Sequence, residues 1–234
     1  MSNKNRPRKG RVTAAELINQ LNQDPAYIAM RAEKDAQWEE AKANHQRETM
    51  PVLRALQQHG LEVRSLDELR QSRVEYRGAI PILIHWLRKA KSPDVKESIV
   101  RTLTVPWAKP EAADPLIGEF LSAPDGSSLK WAIGNALDVV ADTTVFGQLC
   151  ELARDRRHGT ARQMIVLALG KMKNSMAVDV LIELLDDDEV SGHALAALTK
   201  LGTQKARPYI ERFLTDPRAW VRKEACKALA KLDK

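Results

Sequence analysis

The sequence predicts an all-α protein, an array of about five stacked helix pairs behind a helical N-terminal cap. Three observations predict it. An apolar rail returns four times, as Leu129–Ile133–Leu137–Val140, Ala161–Ile165–Leu169–Met172, Val190–Ala194–Leu198–Leu201 and Val221–Ala225–Leu229–Leu232. The spacing in each is 4, 4, 3, which sets the members on one stripe of a helix. A second set of landmarks, Ile82–Leu83–Trp86–Leu87 and its successors at Leu116, Gln148, Val180 and Tyr209, shares with the first a period of 29 to 34 residues. Composition agrees: 44% hydrophobic but only 5% aromatic residues suits an Ala/Leu-rich helical chain. Each unit of such an array buries its apolar face only against its neighbours, giving one continuous core.

Residues 1–11 open the chain with Lys4, Arg6, Arg8, Lys9 and Arg11 and no acid. They hold +5 of the formal +6, leaving +1 (6 − 5) for the other 223 residues. The high pI therefore belongs to this segment, expected to be a disordered basic tail able to meet nucleic acid or another anionic surface. Thr13 and Glu16 form a capping box for a helix to Leu21. Asp24–Pro25 starts a second helix, mainly polar from Arg31 to Glu48 with Trp38 its one large apolar residue. Pro51 is expected to interrupt it, leaving Val52–Gln58 as a new or kinked segment that Gly60 ends. Ser65 and Glu68 cap Leu66–Ser72. The expected divisions are thus 1–11 tail, 12–78 helical cap region and 79–234 repeat array. In the array, Pro81, Pro115 and Pro208 precede three of the first helices, and the second helices start at Val95, Leu129, Ala161, Val190 and Val221.

Several function classes lack their residues. The longest apolar runs, such as Ala79–Trp86, are too short to span a membrane. No apolar stretch follows the basic N-terminus as in a signal peptide, because Ala14–Leu21 contains Glu16, Asn19 and Gln20. Cys150 and Cys226 lie in different repeats and are expected to be reduced, buried residues of a cytoplasmic protein. His45, His59, His85, His158 and His193 show no metal-ligand spacing, and no Gly-rich phosphate loop or nucleophile elbow occurs. No metal, cofactor or catalytic residue is expected. Acid runs such as Asp186–Asp187–Asp188 read as solvated charge near a helix start.

Arg162…Ala168–Leu169–Gly170–Lys171–Met172 with Ala177 and Val180–Leu181–Leu184–Leu185, the Ala197–Leu198–Thr199–Lys200–Leu201–Gly202 run, and Asp216–Pro217…Val221–Arg222…Ala225 resemble HEAT repeats. They are similar in particular to the short bacterial kind first grouped with the phycobilin lyases. The resemblance covers residues 79–234 and is clearest in the last three units; Pro106 and Pro110 replace the usual Ala–Leu–Gly exit in the first. It implies a right-handed α-α superhelix, a HEAT-like α-solenoid whose second helices line a concave face.

One position beyond each second-helix landmark stand Lys96, Lys130, Arg162, Ser191 and Arg222. The resemblance thus implies a basic ladder on the concave face. Two readings of it are open. Lys96, Lys130, Arg162 and Arg222 recognise an acidic or phosphate-bearing partner, or they bond to loop carbonyls and to Asp94, Asp125, Asp155, Asp187 and Asp216, as Asp–Arg ladders do in HEAT repeats. Trp131, two positions past Leu129, should point away from the core, either as a binding anchor or packed on a neighbouring repeat. Arg156, Arg157 and His158 lie just before a helix start, either as an anion-binding loop or as a solvated turn.

The expected function is a non-catalytic protein- or peptide-binding scaffold using the concave face. The alternative is a HEAT-like DNA glycosylase or other nucleic-acid-binding protein. Such glycosylases combine tryptophans, an Asp and an Arg on the inner surface. Trp131, Asp138 and Arg162 are only a loose counterpart, with no residue-by-residue match. For a phycobilin lyase the chain lacks a distinctive pocket motif.

Overall fold

A computed structural model describes residues 12–72 and 74–233; the expected basic tail lies outside them. Every regular element among these residues is helical. The chain divides into two compact units, residues 1–47 and 48–234.

The first unit holds α1 (Ala14–Leu21) and the greater part of α2 (Pro25–Gln58). The capping box is complete: Glu16 N–H donates to Thr13 Oγ1 at 3.2 Å, and Thr13 N–H to Glu16 Oε2 at 2.8 Å. These bonds hold the Glu16 carboxyl below its ordinary value. Asp24 Oδ1 accepts from Ala26 N–H at 2.9 Å, as an N-cap ahead of Pro25 should. No residue of α1 is buried.

The expected break at Pro51 does not occur: α2 continues through it to Gln58. A proline removes one helical hydrogen bond. Val52 and Leu56, one turn apart, are buried in the core of the second unit, and that burial outweighs the lost bond. Gly60, with φ of +81°, supplies the left-handed residue that closes α2. Leu61 N–H reaches back to the Leu56 carbonyl at 3.1 Å, as in a Schellman ending.

The second unit begins with that end of α2 and with α3 (Leu66–Gln71), capped by Ser65. Five helix pairs follow. They are α4 (Ile80–Lys89) with α5 (Pro93–Leu103), α6 (Ala113–Ser122) with α7 (Ser128–Val140), α8 (Phe146–Arg154) with α9 (Gln163–Leu169), α10 (Met176–Glu183) with α11 (Ser191–Leu201), and α12 (Arg207–Glu211) with α13 (Ala219–Leu232). The second helices pack in series, α5 on α7, α7 on α9, α9 on α11 and α11 on α13. This is a repeat solenoid, and its core is continuous. The rails form that core: Ile133, Leu137 and Val140, Ile165 and Leu169, Val190 and Ala194, Val221 and Ala225 are all fully buried.

Residues 48–78 pack as part of this unit and not apart from it. α3 lies on α5, and Tyr76 donates its hydroxyl to the Thr102 carbonyl at 2.9 Å. Trp107 packs its edge against Tyr76 with ring centroids 5.5 Å apart. Small residues let the end of α9 come close to α11: a Cβ on Gly170 would lie 2.7 Å from both Cα and Cβ of Ala197.

Candidate functional site

The basic ladder turns inward at its centre. Lys130 is 1% and Arg162 0% exposed. Lys130 stands in the first turn of α7 and Arg162 immediately before α9, and both long side chains turn back toward the loop ending the first helix of their pair. Lys130 Nζ donates to the Ala123 carbonyl at 3.0 Å and to Asp125 Oδ1 at 2.6 Å, and it lies 5.0 Å from the Phe120 ring centroid. Arg162 donates from Nε to the Gly159 carbonyl (3.0 Å), from Nη1 to the Ala153 carbonyl (3.0 Å) and Asp187 Oδ2 (2.8 Å), and from Nη2 to Glu189 Oε2 (2.8 Å). The row is therefore not a row of exposed cations. A buried cation requires such partners, since desolvation without them costs several kcal/mol, roughly.

The outer members are also paired. Lys96 Nζ bonds Glu119 of the next pair. Arg222 Nη1 donates to the carbonyls of Asp216 at 2.6 Å and Pro217 at 2.9 Å. Where Ser191 interrupts the row, Arg218 substitutes: it donates to Ser191 Oγ at 2.9 Å and the Asp188 carbonyl at 3.0 Å, while chelating Asp216.

The loop cations are drawn to carboxylates as well. Arg157 is exposed but forks onto Asp155, with Nη2 2.6 Å from Oδ2. Arg156 Nε stands 3.5 Å from Asp187 Oδ2. His158, expected at the surface, is 8% exposed. Its ring meets Phe120 edge-on at 5.1 Å, and Nδ1 is 3.2 Å from Asp125 Oδ1. The helix start expected beside these cations lies farther on. Two 3-10 turns broken by a non-helical Gly159 occupy Arg156–Arg162, and α9 begins only at Gln163.

Electrostatics follow these contacts. Hydrogen bonds from Lys130 and then His158 hold the Asp125 carboxyl below its ordinary value. Arg157 does the same, more strongly, for Asp155, and Arg218 for Asp216. Burial pushes Asp187 upward, but the Arg162 hydrogen bond and charge together bring it below the usual range. Asp187, read from the sequence as part of a solvated run, is buried.

Trp131 differs from all of these. On α7 it is 51% exposed, and two cavities adjoin it. One, of about 600 Å³, is lined by Asp125, Ser127, Ser128, Arg157, Thr160 and Glu189 among others. The other, of about 330 Å³, is lined by Arg70, Arg101, Thr104, Ala132 and Asn135. Both are lined by Trp131, which gives this face an aromatic centre with charged and hydroxyl groups of both signs around it. Trp220, also half exposed, sits over Gly192 and against His193, with ring centroids 5.6 Å apart. Cys150 is buried, whereas Cys226, one position off the α13 rail, is exposed, contrary to expectation. Asp138 bonds Lys171 at 2.5 Å, and Arg162 is internal, so Trp131, Asp138 and Arg162 do not share an open surface.

No group of three or more His, Cys, Asp or Glu among the described residues is arranged to hold a metal ion. No described helix is long and apolar enough to cross a membrane.

Residues 186–234 match the family described as HEAT repeats, and residues 161–187 match the PBS lyase HEAT-like repeat. These stretches take in α9 to α13. No curated protein matches the chain. Among solved structures, the designed armadillo repeat protein YIII(Dq)4CqI is 16% identical, with a TM-score of 0.48 over 94% of this chain and 100% of that one. The designed armadillo repeat protein YIII(Dq.V1)4CPAF in complex with peptide (KR)4 is 18% identical, with a TM-score of 0.48 over 78% of this chain and 97% of that one.

Proposed function

We propose that the chain is a non-catalytic protein- or peptide-binding scaffold whose recognition surface is the α7 face centred on Trp131. One observation carries the reading. Trp131 exposes half of a large aromatic surface between two adjoining cavities, while the ladder cations around it are engaged internally. Partly exposed tryptophans flanked by polar groups are the side chains that anchor protein interfaces. Asn135 Nδ2 donates to the Trp131 carbonyl at 2.8 Å, fixing the polar edge of the same face. Lys96 and Arg162 join neighbouring repeats, Lys130 and Arg222 fasten the loop of their own pair, and Asp125, Ser127, Ser128, Arg101 and Arg157 supply the rim. The two unpaired cysteines suit a reducing, cytoplasmic setting.

Peptides selected from a display library against the full chain test the proposal. Trp131→Ala is expected to keep the melting temperature and to weaken those peptides at least about tenfold, as truncation of a hot-spot tryptophan does. Equal binding by Trp131→Ala would overturn the assignment of the face.

A further inference from the structure

The smaller of the two cavities beside Trp131 carries charge of one sign. It is lined from the last turns of α3 and α5 and from α7, and its charged groups are Arg70 and Arg101, with no carboxylate among the described lining residues. The negative end of a helix dipole favours a cation in the last turn. That accounts for the two charges but not for their remaining donors. Arg70 gives Nη2 to Asp67 Oδ1 at 2.8 Å. Arg101 gives Nε and Nη2 to a single oxygen of Glu97, at 3.0 and 2.6 Å. Nη1 of Arg101, and both Nε and Nη1 of Arg70, have no protein acceptor among the described residues. Thr104 Oγ1 and Asn135 Nδ2, the other polar groups here, donate to the backbone carbonyls of Val100 and Trp131, each at 2.8 Å.

We propose that the peptide bound on the Trp131 face places an acidic side chain in this cavity, held by Arg70 and Arg101; the inference rests on the assignment of that face. A carboxylate is the peptide group that accepts several guanidinium donors at once, and the indole of Trp131 offers an apolar wall to its methylene groups. A cavity of about 330 Å³ lies at the small end of ligand sites, which suits one side chain. A polyanion fits less well. Across Trp131 the larger cavity is lined by Asp125 and Glu189, about half exposed, with Arg157 beside them already held by Asp155. Those carboxylates would repel the next phosphate of a nucleic acid strand, and residues 12–234 carry a net charge of only +1.

Peptides selected on the full chain and lost from Trp131→Ala provide the test. Each of their acidic residues is changed in turn to the amide, and binding is titrated on the native chain and on Arg70→Gln/Arg101→Gln. One acidic position is expected to cost at least about tenfold when neutralised on the native chain, as a hydrogen-bonded charge does. On the double variant the same change should cost nothing further. Arg70→Lys/Arg101→Lys keeps the charge without the planar fork and should fall between the two. Both side chains are exposed, so the melting temperature should stay in place. Trp131-dependent peptides that bind the Gln variant unchanged would overturn this inference and leave the face. Peptides indifferent to Trp131→Ala would remove the face itself, and the inference with it. Free glutamate displacing the peptides at equal concentration would overturn it in favour of a small-carboxylate site. Duplex DNA bound by the native chain at low salt and lost from the Gln variant would overturn it in favour of a polyanion site.

Discussion

Arg162 of the third helix pair holds Asp187 of the fourth at 2.8 Å, with side chains 0% and 7% exposed. The contact crosses from one repeat to the next, and Glu189 extends it at 2.8 Å to the same guanidinium. Asp125 makes the corresponding link one repeat earlier, accepting from Lys130 in its own pair and facing His158 of the next.

The two ladder positions should respond differently to loss of charge. Arg162→Leu takes from the buried Asp187 its close cation partner, leaving Arg156 at 3.5 Å and the Glu189 N–H, and it should cost about 3–5 kcal/mol. Lys130→Met should cost less, because Asp125 is largely exposed and returns to water. Adding Asp187→Leu to Arg162→Leu should recover part of the loss, since two apolar residues replace an ion pair without stranding a charge. Urea unfolding of the four proteins measures this. Equal losses at 130 and 162 would contradict the internal role of Arg162.

Acid should loosen the array in a defined direction. Asp125, Asp187 and Asp216 have carboxyls held below the usual value in the folded chain. Unfolding returns each to about 3.9. Between the folded and unfolded values the unfolded chain binds more protons, so stability rises with pH there and is complete above it. Their contribution is therefore present at neutral pH and lost as pH falls below about 4. His193 is likewise lowered, by burial and then by Arg218, so its contribution begins to decline below about pH 6.5. Urea midpoints at successive pH values should show this order. The gap between the native chain and Asp187→Asn should narrow in acid.

Close helix approach offers a third test. Gly170→Ala places a methyl 2.7 Å from Ala197 backbone and side chain, and α9 and α11 must move apart; overpacking of this kind costs about 1–3 kcal/mol. Gly192→Ala meets Trp220 at 2.0 Å, but the indole is half exposed and can swing out. Thermal melts should show a large loss for Gly170→Ala. The smaller loss for Gly192→Ala should disappear in a Trp220→Ala background.

The helix pairs were legible because their period depends on backbone geometry common to every repeat. Thr13–Glu16 and Ser65–Glu68 were legible for the same local reason. The ladder is visible in the sequence, but either of its two readings fits there, because the direction of Lys130 and Arg162 depends on where the preceding loop places its carbonyls. His158 looked like a surface cation in a charged run; only the neighbouring Phe120 and Asp125, 38 and 33 positions earlier, draw it inward. Pro51 misled because its local cost is visible in sequence, whereas the burial of Val52 and Leu56 that offsets it is not. Trp131 was legible as an off-rail position, while the cavities beside it depend on Arg70 and Glu189, far away along the chain.

The charged contacts between repeats also bear on how the solenoid would respond to tension. Links pulled in series carry the same force, and the one with least to lose opens first. The third and fourth pairs are clasped by Arg162, Asp187, Glu189 and the Gln163 amide on the Glu189 carbonyl at 2.9 Å, while the first and second share the Lys96–Glu119 pair. Stretched from its ends, the array should part between its first and second pairs before it parts between the third and fourth.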